Sequence, residues 1–198
     1  MKIVQVILDS FQEYEDYQAL VLFCSGCNLA CRGCYNYEEI TQGESKGTAI
    51  ELLDAHITPL HEAAVFLGGE PTLWGQKLVD AAERAHTKHA LRVKVFTNGM
   101  MPDVVENVAS RGILDALSVD LKCISNASNV LGTTIDDEMY LQRVTETVRA
   151  AQKYRVDVEL RTTTFQHIGD VAAIERFAAL HFPGVSHILQ AEFTPVRS

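Results

Sequence analysis

The sequence predicts an α/β fold, an open, partial parallel (βα)6 barrel. Three observations predict it. Near-continuous apolar runs recur along the chain, as expected of strands covered on both faces. Between them lie longer stretches with apolar residues three and four apart, the spacing of an amphipathic helix. The chain has 198 residues, fewer than the roughly 250 that close an eight-stranded barrel, so the sheet is expected to stay open.

The elements follow in order. Lys2–Ile7 reads as a short edge strand and Ala19–Cys24 as the first core strand. Gly43–Gly47 (GESKG) is the most loop-like insertion. Ile50, Leu53, Ile57 and Leu60 mark one helix, and Ala64–Leu67 is the second core strand. Gly75–His89 reads as a helix, Leu91–Phe96 as a strand, and Pro102–Arg111 as a helix opened by its proline. Ala116–Val119 is the fourth core strand, followed by a helix carrying Leu141, Val144, Val148 and Ala151. Val156–Arg161, a helix with Val171, Ile174 and Phe177, and the strand His187–Gln190 complete the series. No repeat, low-complexity stretch or Pro/Gly/Ser-rich linker divides the chain, so residues 1–198 are expected to form one domain.

Apolar residues make up 47% and charged residues 22%, values of a globular protein with a sizeable core. Seventeen basic against 26 acidic residues leave a net charge of −9. That balance repels phosphate backbones and argues against nucleic acid as a partner. No apolar run approaches the roughly 18 residues of a membrane span, and Met1–Tyr17 lacks the pattern of a secretory signal. A cytoplasmic protein without a membrane partner is expected.

Four of the five cysteines, Cys24, Cys27, Cys31 and Cys34, fall within eleven residues at and directly after the end of the first core strand. Active residues of such folds sit on the loops at the carboxyl ends of the strands. In a reducing compartment, clustered thiols read as metal ligands. Two pairs of CxxC spacing could make a tetrahedral zinc site, but only three residues separate the pairs, where zinc knuckles usually have a dozen or more. Cys27-x3-Cys31-x2-Cys34 instead supplies three thiolates to a cubane and leaves one iron open. Cys24 then reads as a small buried side chain and Cys123 as a structural thiol.

After the second core strand comes Gly68-Gly69-Glu70-Pro71-Thr72, on its own a strand-ending turn. Its glycines permit close backbone approach to a ligand, and Glu70 offers an acceptor to an ammonium group. The fourth strand ends Ser118-Val119-Asp120-Leu121-Lys122, with Ser118, Asp120 and Lys122 on one face, and Glu159 and Arg161 share a face of the fifth. Charges on a core strand need partners or a site. The alternative at Asp120 and Lys122 is a surface ion pair at the strand exit. Asp120, Lys122, Glu159 and Arg161 could line a barrel mouth that serves a charged ligand.

The cysteine segment resembles the signature of the radical S-adenosylmethionine (AdoMet) superfamily, and GGEP at 68–71 strengthens the likeness. The resemblance implies a [4Fe–4S] cluster on Cys27, Cys31 and Cys34, with AdoMet on the open iron and against Gly68, Gly69, Glu70 and Pro71. Val95–Gly99 (VFTNG), Asp120–Lys122, Val130–Gly132, Glu159–Thr163 and Gln190–Pro195 (QAEFTP) narrow it to the glycyl-radical-enzyme activases. Within these the chain is similar to activating proteins of the anaerobic ribonucleoside-triphosphate reductase, over roughly residues 15 to 195.

That resemblance implies that Asn98, Asp120, Lys122 and Arg161 belong to the AdoMet site. It also implies that an external one-electron reductant such as flavodoxin or ferredoxin feeds the cluster. The 5′-deoxyadenosyl radical would then take hydrogen from a glycine of a partner enzyme. Three positions depart from the pattern. Gly33 stands where the superfamily often has an aromatic. Pyruvate formate-lyase activases carry an aspartate in place of Phe96, which speaks against a monovalent-cation site, and a histidine near Phe193, which leaves one AdoMet contact unassigned. A compact enzyme acting on a small molecule, such as a carboxy-deazaguanine synthase, is the rival reading, and a non-catalytic zinc module the second. His86 and His89 share a helix face that reads as solvated, and the other histidines form no constellation.

Overall fold

A computed structural model describes residues 1–164 and 170–191. Phe193, His167 and most of the QAEFTP motif lie outside the described residues. The strands are β1 Lys2–Ser10, β2 Ala19–Cys24, β3 Gly47–Thr48, β4 Ala63–Gly68, β5 Arg92–Thr97, β6 Ala116–Asp120, β7 Asp157–Thr164 and β8 Ser186–Ala191. They form one eight-stranded sheet in the order β3-β1-β2-β4-β5-β6-β7-β8. The six strands from β2 to β8 pair in parallel and in chain order, which is the expected (βα)6 series. The expected edge strand is β1. It runs antiparallel to β2, and it is not the edge, because β3 pairs on its other side, starting at the last residue of the stretch expected to be loop. Neither outer strand, β3 nor β8, pairs with the other, so the barrel is open.

Parallel neighbours in chain order need right-handed crossovers, which carry the intervening helices to one face. Side-chain alternation along each strand therefore separates two apolar groups. Leu20, Leu22, Ala64, Phe66, Val93 and Leu117 point into the large core beneath the helices. Ala19, Val21, Ala63 and Val65 point to the inner face, where Tyr14, Tyr17 and Phe96 pack on them.

The helices are α1 Tyr37–Gln42, α2 Ala49–His56, α3 Gln76–Glu83, α4 Pro102–Ser110, α5 Ala127–Leu131, α6 Asp137–Lys153 and α7 Val171–His181. Four differ from expectation. The helix at Ile50–Leu60 is the shorter α2, started by a Thr48–Glu51 capping box. Pro59 disfavours helical backbone at Thr58, so the chain turns out and Leu60 is exposed. The buried face is Ala49, Leu52 and Leu53, not Ile50 and Leu60. The stretch 75–89 divides into α3 and a wider turn at Arg84–Lys88. Helices α1 and α5 are too short to show a period and carried no signal in the sequence.

Candidate active site at the carboxyl ends of the strands

The cysteine loop leaves β2 and is tied at several points along its length. At its stem, Ser25 N donates to Lys2 O at 3.0 Å and Gly26 N to Ile40 O at 2.8 Å. At its centre, Ala30 N donates to Leu131 O and Arg32 N to Val130 O, both at 3.0 Å. The segment at α5 thus straps the loop down. Gly132 follows with φ +63°, and a Cβ there would stand 2.1 Å from Ala30 O. The Val130-Leu131-Gly132 motif is legible now as the strap.

The Gly68–Pro71 turn packs against the stem. Gly69 N donates to Cys24 O at 2.9 Å and Glu70 N to Gly26 O at 2.8 Å. A Cβ on Gly69 would fall 1.8 Å from Gly26 O, and one on Gly68, at φ +109°, 2.7 Å from Cys24 N. The close approach these glycines permit is therefore to the cysteine loop itself. Gly68, Gly69 and Glu70 also line the cavity described below, whereas Pro71 does not. Pro71 begins a short 3-10 turn, Pro71–Trp74, whose Trp74 Nε1 donates to Ser25 O at 3.0 Å.

Glu70 differs from the expected free acceptor. It is 1% exposed. Its Oε1 accepts from Thr72 N at 3.0 Å, Thr72 Oγ1 at 2.6 Å and Thr97 Oγ1 at 2.8 Å, and its Oε2 from Asn98 N at 2.7 Å. Burial raises the carboxyl above its ordinary range, against the pull of these donors. The side chain braces the turn to the end of β5, leaving little acceptor capacity for a ligand. That brace sets Asn98, whose Nδ2 donates to Asn28 Oδ1 at 2.8 Å and lies 3.8 Å from Cys27 Sγ.

Opposite stand Asp120 and Lys122, joined by an ion pair of 2.7 Å. Burial works against the Lys122 charge, but Asp120 and the nearby Cys31 outweigh it and hold the ammonium above its ordinary value. Sequence reasoning missed Tyr140, fully buried on α6. Its hydroxyl donates to Asp120 O at 3.0 Å and accepts from Lys122 N at 2.7 Å, fixing the strand exit. A buried tyrosine needs such a partner, and that was the signal available.

Together these elements enclose a cavity of about 260 Å³. Cys27, Cys31, Cys34, Asn98, Asp120, Lys122 and Arg161 all line it, with apolar walls from Leu29, Ile40, Leu67, Phe96 and Val130. Glu159, expected at this mouth, is absent from its lining and lies one layer deeper. Cys24 is fully buried in the core beneath the helices, and Cys123 is buried as well. Burial pushes the Cys27 thiol up to about 11 and raises Cys31 as well, so metal loading would release protons.

Among the described residues no three His, Cys, Asp or Glu side chains are gathered closely enough to hold a metal ion. The donor set nevertheless fits a three-thiolate cluster: three cysteines on one strapped loop face a common cavity, while the fourth, Cys24, is turned away. The His86–His89 face is not the solvated one expected: the His89 side chain is 14% exposed with Nε2 2.7 Å from Asp54 Oδ1, beside Arg84 and Lys88, and His86 Nδ1 is buried without a hydrogen-bond partner among the described residues. No helix among the described residues is long and apolar enough to cross a membrane.

Residues 21–183 match the family model described as the Radical SAM superfamily. A Methanocaldococcus jannaschii protein, provisionally named as a glycyl-radical enzyme activating enzyme, is 29% identical over 167 residues, 84% of this chain and 69% of its own. The 7-carboxy-7-deazaguanine synthase of Methanothermobacter thermautotrophicus is 31% identical over 121 residues, 57% of this chain and 46% of its own. Among solved structures, anSMEcpe with bound AdoMet superposes with a TM-score of 0.57 at 16% identity, over 91% of this chain and 51% of that one. TYW1 with a lysine-pyruvate adduct gives 0.61 at 16% identity, over 94% and 70%. The chain spans about half the length of the synthase and of anSMEcpe. At these identities the structures speak for the fold alone.

Proposed function

This chain belongs to the radical SAM superfamily, and from that premise we propose that it is a glycyl-radical-enzyme activase. In this reading Cys27, Cys31 and Cys34 hold a [4Fe–4S] cluster and AdoMet binds beside it in the mouth cavity. When bound, the cluster supplies the electron that cleaves AdoMet and so yields a 5′-deoxyadenosyl radical. The partner is a glycyl radical enzyme of the anaerobic ribonucleoside-triphosphate reductase kind, and a flavodoxin or ferredoxin is the reductant. The chain works as one cytoplasmic domain.

The protein's own residues bind and orient. The backbone of Gly68 and Gly69 and the side chains of Asn98, Asp120, Lys122 and Arg161 surround AdoMet, with Glu70 and Pro71 holding the glycine turn in place. Asn98 donates toward Cys27. The apolar walls exclude water from the reacting centre, and the fixed positions of these groups hold the reacting carbon near its target hydrogen.

The observation that carries the activase reading is the reach of the likeness to the Methanocaldococcus protein, 84% of this chain against 57% for the deazaguanine synthase. The test is anaerobic. The chain is reconstituted with iron and sulfide, reduced with dithionite and mixed with AdoMet and an anaerobic ribonucleotide reductase. Formation of 5′-deoxyadenosine with a glycyl doublet in electron paramagnetic resonance supports the reading. Deoxyadenosine without the doublet moves the substrate to a small molecule, and zinc without sulfide defeats radical chemistry altogether.

A further inference from the structure

Two cavities lie on either side of Arg161. The first is the mouth. The second, of about 630 Å³, lies at the amino ends of β5, β6 and β7 and is lined by Tyr14, Lys94 and Glu159 among others. Arg161 lines both. Between them is a layer of charge. Glu159 Oε1 accepts from Arg161 Nε at 2.6 Å, from Lys94 Nζ at 3.0 Å and from Ser118 Oγ. The Phe96 ring lies against both cations, its centroid 4.9 Å from the Arg161 guanidinium carbon and 5.1 Å from Lys94 Nζ. Lys94 is 4% exposed and Arg161 9%.

This arrangement leaves the guanidinium few orientations. One edge is bonded to Glu159 and one face lies on an aromatic ring, in surroundings where both contacts are strong. Burial alone would raise the Glu159 carboxyl. The hydrogen bonds from Ser118 and Lys94, with the charges of Lys94 and Arg161, outweigh burial and keep it below its ordinary range. Glu159 is thus an ionised acceptor that holds Nε.

Among the described residues no hydrogen bond or ion pair engages the terminal Nη groups of Arg161. Arg161 lines both cavities, so its guanidinium borders open space. Of the other cations that line the mouth, Lys122 is already paired with Asp120, and Arg32 is exposed on the cysteine loop. The planar Nη fork matches a carboxylate.

We propose that Glu159 is a positioning residue that fixes Arg161 across Phe96, so that the Nη donors face the mouth and receive the carboxylate of the bound amino-acid group. The inference rests on the AdoMet reading of the mouth. It adds a residue that touches no ligand, a layer below the site.

Two ligands test it on the reconstituted holoenzyme by calorimetry. S-adenosylhomocysteine carries the amino-acid carboxylate and methylthioadenosine lacks it. Glu159→Gln is expected to weaken S-adenosylhomocysteine about tenfold, the scale of one charged hydrogen bond, and to leave methylthioadenosine unchanged. Arg161→Gln should weaken it at least as much, and the double variant no further than Arg161→Gln alone. The ratio of the two affinities within one variant does not depend on the fraction folded. Phe96→Leu, which removes the stacking face, should shift that ratio in the same direction by less. Equal losses for both ligands in Glu159→Gln overturn the proposal, because they mean a structural role. A shifted ratio in Arg161→Gln with none in Glu159→Gln or Phe96→Leu also overturns it, and leaves the AdoMet reading standing. An unshifted ratio in Arg161→Gln overturns the proposal, and failure of both ligands to bind the unsubstituted holoenzyme overturns the AdoMet reading as well.

Discussion

The two faces of the sheet are built from the same strands and do different work. The outer face of β2, β4, β6 and β7 presents Leu20, Leu22, Phe66, Leu117 and Leu160, all fully buried beneath the helices. The inner face of β2 and β4 carries the small residues Ala19, Val21, Ala63 and Val65. Farther along, the inner face turns polar, with Lys94 on β5, Ser118 on β6 and Glu159 and Arg161 on β7. Because successive side chains on a strand point to opposite faces, a single residue step crosses from packing to chemistry. Leu160 and Arg161 are that step.

The largest expected effect breaks the comparison at this pair. Leu160→Ala should cost about 2–5 kcal/mol of stability, the range for deleting a fully buried leucine. Arg161→Gln should cost less than half as much while damaging AdoMet use far more. Urea unfolding of both variants, with AdoMet turnover measured beside it, checks the pairing. Similar stability losses would mean that the inner face is packing as well.

Backbone contacts at the cysteine loop come next. Gly69→Ala places a methyl group against Gly26 O, and Gly132→Ala places one against Ala30 O. Each should displace the loop and lower the iron and sulfide retained after reconstitution, Gly69→Ala more so. Retention at the unsubstituted level in both would show that the loop is not held by these contacts. Tyr140→Phe should cost about 1–2 kcal/mol by leaving Asp120 O and Lys122 N without their shared hydroxyl. It should also weaken AdoMet binding, measured by equilibrium dialysis.

The smallest effect is a pH dependence. Glu159 is held below its ordinary value of 4.5, so its contribution to stability is present above about that pH and lost as the pH falls through the lower, folded-state value. Glu159→Gln should therefore show a shallower acid limb than the unsubstituted protein in thermal melts between pH 5 and pH 3, at roughly the span in which such carboxylates titrate. Parallel limbs would mean that Glu159 is not held ionised by its neighbours.

The outer face was the more legible of the two. Apolar runs and helical spacing place six parallel strands and five of the helices, because burial writes itself into residue type. Where backbone chemistry decides, the pattern is silent: α1 and α5 are single turns, and α2 stops early because of Pro59. At the site, residue types and spacing mark the cysteines, the glycine turn and Asp120–Lys122. They do not show that Glu70 is turned inward onto Thr72, Thr97 and Asn98, nor that Glu159 lies below the mouth. Both depend on which of several nearby donors a carboxylate meets, and that is settled by strand pairing. Tyr140 was hidden for the same reason, since its partner is backbone twenty residues away.

The central claim is that three cysteines facing the cavity hold the cluster and that the fourth, buried in the outer core, does not. The most direct measurement is iron, acid-labile sulfide and 5′-deoxyadenosine in Cys24→Ala, Cys27→Ala, Cys31→Ala and Cys34→Ala after anaerobic reconstitution. Cys24→Ala is predicted to keep iron and sulfide in equal amounts and to cleave AdoMet, while each of the other three loses the intact cluster and its activity. Loss of cluster and cleavage in Cys24→Ala alongside the others, or an intact cluster and full cleavage in any of the other three, would contradict it.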